Sequence, residues 1–250
     1  MGKLGLQLYT LREIAPKDFL GTLSKVAEVG YQGVEFSGYY ETAARDLQAA
    51  LHDTGLEVAG SIVQMEVLEN DLESAIEYSR IIDCPVIVCP WLQEEYRTAE
   101  AYRRVADRFG YFGAKCQENG MKFLYHIHGY EFEDLGGQCG MDILFGACDP
   151  ASVNFEVDVY WLEYAGVDAV EFMRSHGERC PYIHFKDMTD KASKHDTEVG
   201  TGAIDMRGVM REGKKHHAEW FIVEQEAFDI PPMESIAISL RNLRRLAEEV

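Results

Sequence analysis

The stretch KFLYHIHGYEF, residues 122–132, starts as an apolar strand and finishes in imidazoles and a carboxylate. Successive side chains of a strand alternate between its two faces, so His126 and His128 share one face. Glu131 follows just beyond. Three later runs have the same character. VNFEVDV (153–159) carries Glu156 and Asp158 on one face, and YIHFK (182–186) carries His184 and Lys186 on one face, with Asp187 next. WFIVE (220–224) ends an apolar run on Glu224, which shares a face with Glu226. Upstream lie four more short β-rich runs: LGLQLY (4–9), GVEF (33–36), EVAGS (57–61) and PVIVC (85–89).

Amphipathic segments fill the gaps between these eight strands. In Phe19–Val29 the apolar residues Phe19, Leu23, Val26 and Ala27 recur at helical spacing. Similar patterns predict helices over 47–53, 72–82, 101–119, 141–148, 167–179, 206–217 and 235–248. Asp71 and Asp205 stand where N-caps belong. Gly30, Gly55 and Gly120 stand just past a helical segment, where the chain needs a positive φ. Strand alternating with helix means parallel pairing through crossovers. Eight such units in 250 residues predict a (β/α)8 TIM barrel, with residues 1–250 forming one domain. The competitor, an open doubly wound sheet for a dinucleotide, lacks its G-x-G-x-x-G after the first strand.

In such a barrel the chemistry sits at the C-terminal ends of the strands. The groups expected there are His126, His128, Asp158, His184 and Glu224. Two inward carboxylates such as Glu156 and Asp158 repel unless a metal ion or a Lys or Arg stands between them. A mixed imidazole–carboxylate set suits Mn, Fe, Co, Zn or Ni, whereas Ca prefers oxygen alone. Gln7, Tyr9 and Arg12 end the first strand and Glu35 the second, all able to hydrogen-bond a polyol. Trp91 and Trp161 follow strands, and an indole serves a sugar ring or a core equally well. The segment EVGTGAID (198–205), opening on Glu198, is either a loop whose N–H groups hold an oxygen-rich ligand or a plain loop capped by Asp205.

Composition bounds the partners. Hydrophobic residues make up 46% and charged residues 27%, the balance of a soluble globular chain. Twenty-four Lys and Arg against 43 Asp and Glu leave a net charge of −19, which disfavours nucleic acid. No run reaches the roughly 18 apolar residues of a membrane span, and no signal-peptide core precedes the first strand. None of the six cysteines forms C-x-x-C, which points to reduced, buried thiols and a cytoplasmic location.

The ordered set LGLQLYTLR, YQGVEF, YHIHGYEF, FEVDVYW, YIHFKD, EVGTGAID and WFIVEQE resembles the sugar isomerase/epimerase family with the xylose isomerase-like barrel, over nearly the whole chain. The resemblance implies one divalent metal ion, held by Glu, Asp, His and Glu of strands five to eight. Asp158, His184 and Glu224 fall on the last three ligand positions, and His126 replaces the first Glu in a Y-H-x-H variant like that of inosose dehydratase-like members. Trp161 stands where many members carry a substrate-binding His.

The implied activity is isomerisation or epimerisation of a small keto-sugar or cyclitol through an enediolate. His126, His128 and Glu224 would handle protons, and Lys186 would stabilise the enolate oxygen. Gln7, Tyr9, Glu35, Trp91, Glu131, Trp161 and Glu198 would contact the substrate. With His126 in place of a Glu, elimination is the alternative: inosose-type dehydration or cleavage of a 3-keto-glycoside. A barrel endonuclease is opposed by the acidic charge, and a non-catalytic sugar-binding barrel is the remaining reading. Barrels of this kind often associate, so a homo-oligomer is an open expectation.

Overall fold

The computed structural model describes residues 2–250. Its sheet is a closed, all-parallel barrel of strands β1 (Lys3–Gln7), β2 (Gly33–Phe36), β3 (Glu57–Ile62), β4 (Val86–Cys89), β5 (Lys122–Ile127), β6 (Val153–Asp158), β7 (Tyr182–Phe185) and β10 (Trp220–Val223). Each strand pairs with the next, and β10 pairs back onto β1. The two-residue strands β8 (Asp187–Met188) and β9 (Asp196–Thr197) make an antiparallel ladder in the connection after β7. They are too short to show a periodic pattern in the sequence.

The helices are α1 (Phe19–Val29), α2 (Ala44–Thr54), α3 (Met65–Asn70), α4 (Leu72–Ile81), α5 (Ala99–Glu118), α6 (Gly140–Ala147), α7 (Val159–Tyr164), α8 (Ala169–His176), α9 (Met206–Lys215) and α10 (Pro232–Glu249). Gly30 and Gly55 close α1 and α2 at φ 104° and 69°, a region costly for residues with a Cβ. Asp205 caps α9 by accepting the Gly208 N–H at 2.9 Å. Asp71 makes no side-chain cap on α4; its N–H instead bonds Val67 O and ends α3. Helix α3, six residues long, shows too little period to be read from sequence. Helix α7 starts directly after β6, because the Asp158 side chain accepts the N–H groups of Tyr160 and Trp161 and turns the chain. The strand expected to run to Val159 therefore stops at Asp158. Among the described residues no helix is long and apolar enough to cross a membrane, and the six cysteines are free thiols.

Strand parity separates two cores. Outward residues such as Phe123, Tyr125, Phe155, Ile183 and Phe221 pack under the helices. Inward residues Ala59, Val86, Val88, Leu124, Tyr182, Trp220 and Ile222 fill the lower barrel. There Tyr182 donates across the lumen to Ala59 O at 2.7 Å. On three strands the inward row turns polar toward the C-terminus: Leu124 gives way to His126, Tyr182 to His184 and Ile222 to Glu224. The same step leads from Gly5 to Gln7 and from Gly33 to Glu35. An apolar floor thus carries a polar layer above it.

Candidate metal centre and cleft

Register builds the polar layer. Pairing of β5 with β6 sets His126 beside Glu156, pairing of β6 with β7 sets Asp158 beside His184, and pairing of β1 with β2 sets Gln7 beside Glu35. One potential ligand atom from each of His126, Asp158, His184 and Glu224 falls within 4.8 Å of the others, and all four residues are buried.

Each imidazole is oriented by a deeper carboxylate. His184 Nε2 lies 2.8 Å from Glu35 Oε2 and its Nδ1 lies 2.9 Å from Glu224 Oε2. His126 Nδ1 lies 2.8 Å from Glu156 Oε2, which turns its Nε2 toward Asp158 Oδ2, 4.0 Å away. Gln7 donates to Glu35 through its side-chain amide. A carboxylate on the far nitrogen of a ligand histidine fixes its tautomer and raises its basicity.

The donor set fits a divalent ion. Asp158 Oδ1 is spent on the α7 N-terminus, yet its Oδ2 is buried with no partner. Burial pushes Asp158 up to about 8, with Lys186 opposing and Glu224 adding to the rise. Burial likewise raises Glu35 to about 8, and the Glu156 charge adds to it. Four buried carboxylates crowd around two imidazoles, and a cation among them would favour the ionised forms of Asp158 and Glu35 that burial opposes. Two imidazoles and two carboxylates are a donor set of the zinc, manganese, iron, cobalt and nickel type.

The charge states differ around the site. Burial drags on the His184 proton affinity, but the Glu156 and Glu35 carboxylates outweigh it and hold His184 well above its ordinary value. Burial would raise Glu224, but the hydrogen bond and charge of His184, then Lys186, hold it low and ionised. His126 is pulled down to about 3 by burial and then by His184. His128 is held well below its ordinary value by burial and by His126, so it is a neutral imidazole. Lys186 is raised: burial disfavours its charge, but Glu224, Asp158 and Glu226 outweigh that.

A cleft of about 320 Å³ opens over this layer. Gln7, Tyr9, Trp91, His126, His128, Trp161, His184 and Glu224 line it, so the structure brings these candidates together. Lys186 stands behind the wall, buried, paired with Glu226 and lying over the rings of Tyr160 and Trp161 at 4.7 and 5.1 Å. Glu35 and Asp158 lie beneath, bonded as described.

Two candidates are placed elsewhere. Glu131 turns away from the cleft and is fully buried, accepting the Tyr125 hydroxyl at 2.5 Å and the His128 N–H at 3.0 Å. It positions His128 from behind. Glu198 lies outside the cleft lining, in a turn where its carbonyl accepts the Thr201 N–H. The glycine loop does not offer its N–H groups to a ligand either. Asp187 already takes those of Gly200, Gly202 and Ile204, at 2.9, 3.1 and 3.3 Å. A Cβ on Gly202 would fall 2.4 Å from Asp187 Oδ1, so glycine there permits the clamp.

The cleft also contains Ser37, Gln64, Pro90 and Glu226, which the sequence reading did not select. Gln64, two residues past β3, accepts the Trp91 indole N–H at 2.9 Å and so fixes the rim. Its signal was a polar residue directly after the apolar run of β3.

The sequence profile described as Xylose isomerase-like TIM barrel matches residues 23–246, and the chain belongs to that family. An inosose dehydratase of Geobacillus kaustophilus is 28% identical over 189 residues, 66% of this chain. The chain spans about three fifths, 61%, of that relative's length. A crystal structure of a sugar phosphate isomerase/epimerase from Parabacteroides distasonis superposes with a TM-score of 0.86 at 23% identity, covering 98% of each chain. A structure described as IOLI protein with a binding zinc atom gives a TM-score of 0.77 at 14% identity, covering 99% of this chain and 98% of that one. The fold is therefore one on which isomerases, epimerases and dehydratases are all built.

Proposed function

We propose that the chain is a divalent-metal-dependent lyase that removes the proton beside a carbonyl of a cyclic keto-sugar or keto-cyclitol and expels the oxygen on the adjacent carbon. The observation that carries this reading is the unlike placement of the two proton-handling groups. His128 lines the cleft, whereas Lys186 stands buried behind its wall and pairs with Glu226, which lines the cleft. An epimerase needs its two proton-handling groups at the two faces of one carbon, and Lys186, outside the cleft lining, does not reach that carbon. An elimination needs a base at the carbon and a positive or protic group at the departing oxygen.

His126, Asp158, His184 and Glu224 would hold the metal ion. When bound, it supplies Lewis acidity that polarises the carbonyl and makes the neighbouring C–H acidic. The chain's own residues do the rest. His128, at the cleft wall and uncharged, accepts the proton. Lys186 places positive charge behind the leaving oxygen, with Glu226 linking it to the cleft. Tyr9, Trp91 and Trp161 orient the ring and shed water. The dehydratase name of the Geobacillus relative supports the same reading.

A second reading, isomerisation or epimerisation through the same proton abstraction, is favoured by the Parabacteroides structure's description. Inososes and 3-keto-glycosides incubated with metal-loaded protein in deuterium oxide separate the two. Growth of the ultraviolet absorbance of an unsaturated ketone is expected. Deuterium in a product of unchanged composition would establish the second reading instead, and absence of turnover on every cyclic ketone would overturn both.

A further inference from the structure

A second pocket adjoins the cleft. It has a volume of about 480 Å³ and lies between the residues that follow β5, from Gly129 to Glu133, and the end of α7. His128 and Trp161 line both spaces, their ring centroids 5.5 Å apart, so the partition is one imidazole and one indole. Tyr130, Phe132 and Tyr164 complete an aromatic lining. Both volumes lie within the roughly 300–1,000 Å³ range of small-molecule sites. Among the described residues five large apolar side chains stand exposed, and three of them, Tyr9, Trp91 and Tyr164, border these two spaces. Exposed apolar surface gathered at one place marks contact with a ligand or partner.

We infer that this pocket is the subsite for the leaving group, and that the substrate is a glycoside with one ring on each side of the His128–Trp161 partition. The inference rests on the lyase reading and narrows its substrate. Expelled water needs no walled space of its own, whereas a ring alcohol does. His128 faces both spaces, which sets the bond to be broken at the join. Glu133 is the charged side chain in the second lining, so the ring held there is neutral: a second sugar or an aryl group, not a phosphate. The elimination balances without oxidant or reductant. The C–H electron pair forms the new C=C bond, the C–O bond to the ring alcohol breaks, and the departing oxygen takes up one proton.

Glycosides that lack the ketone have no acidified C–H, so they bind without turnover and serve as probes. Calorimetry on the zinc-loaded full chain compares methyl glycosides with the matching disaccharides and 4-nitrophenyl glycosides, in the gluco, galacto and manno series. At least one two-ring ligand is expected to bind about tenfold tighter than its methyl counterpart, the scale of one added ring–aromatic contact. Whether the disaccharide or the aryl glycoside shows the gain identifies the ring. Ala165→Trp fills the second pocket from an exposed helix end and is expected to abolish the gain. Tyr111→Ala, on an exposed aromatic remote from both spaces, is expected to keep it. Equal affinities for one-ring and two-ring ligands, or a gain that survives Ala165→Trp, would overturn the subsite and leave the lyase reading standing. Binding of inososes but of no glycoside would also overturn the subsite. Failure of every sugar and cyclitol to bind would overturn both.

Discussion

Glu156 Oε2 stands between two imidazoles, 2.8 Å from His126 Nδ1 and 3.2 Å from His184 Nε2. One buried carboxylate thus orients two of the four candidate metal ligands from the side away from the cleft. Glu156→Gln keeps the volume but loses the charge that holds both rings. Its affinity for zinc or manganese is expected to fall by about 10- to 100-fold, as for other residues that orient ligands. Competition with a chromophoric chelator measures this, and circular dichroism checks that the barrel is intact.

Metal uptake is expected to depend on pH through Asp158, which burial raises to about 8 in the metal-free protein. Below that value the carboxyl carries a proton that an incoming ion must displace. Asp158 alone should cost about tenfold in affinity for each pH unit below 8, and the raised proton affinity of His184 adds a second proton to be displaced, so affinity should go on rising above pH 8. Titrations at pH 6, 7 and 8 check the slope. Elemental analysis is expected to give one ion per wild-type chain and none in the Asp158→Asn/Glu224→Gln double variant.

Glu131 supplies a pH dependence of stability. Burial raises its carboxyl from the ordinary 4.5 to about 7, against the hydrogen bonds from Tyr125 and His128. Below pH 4.5 the group is protonated in both the folded and the unfolded chain. Between 4.5 and 7 the unfolded chain ionises first, so the folded state loses stability as pH rises, on the order of 3 kcal/mol over the window. Glu131→Gln does not titrate. Denaturant unfolding should show the wild type losing ground to this variant as pH rises from 5 to 7, and an unchanged difference would contradict the assignment.

Asp187 ties residues 200–204 to the end of β7. Asp187→Ala strands the N–H groups of Gly200, Gly202 and Ile204. A loss of about 2–3 kcal/mol is expected, the scale of buried donors left without acceptors. Hydrogen exchange should quicken at those three amides while the floor strands stay protected.

The barrel was legible because parity and alternation are local properties. KFLYHIH and WFIVE each show an apolar inward row ending on a polar residue, and that step marks the upper rim. The strand-end set His126, His128, Asp158, His184 and Glu224, four of which the family resemblance singled out as ligands, followed from such placement. Glu131 and Glu198 did not, because their direction depends on contacts made after the strand ends, where no period constrains the chain. Glu131 is captured by the Tyr125 hydroxyl, a partner six residues earlier on the outward row of β5. The glycine loop shows the same limit: its N–H groups looked available until Asp187, 13 residues upstream of Gly200, was folded against them.

The lumen of this barrel is zoned. Tyr182, Trp220, Ile222 and Leu124 seal its base with a plug that contributes no residue to the cleft lining. Robustness and selectivity are thereby written into different storeys of the same strands. A designer seeking a new substrate can exchange Trp91, Trp161 or Tyr9 at the rim without disturbing the keel, and one seeking heat tolerance can repack the keel without retuning the chemistry.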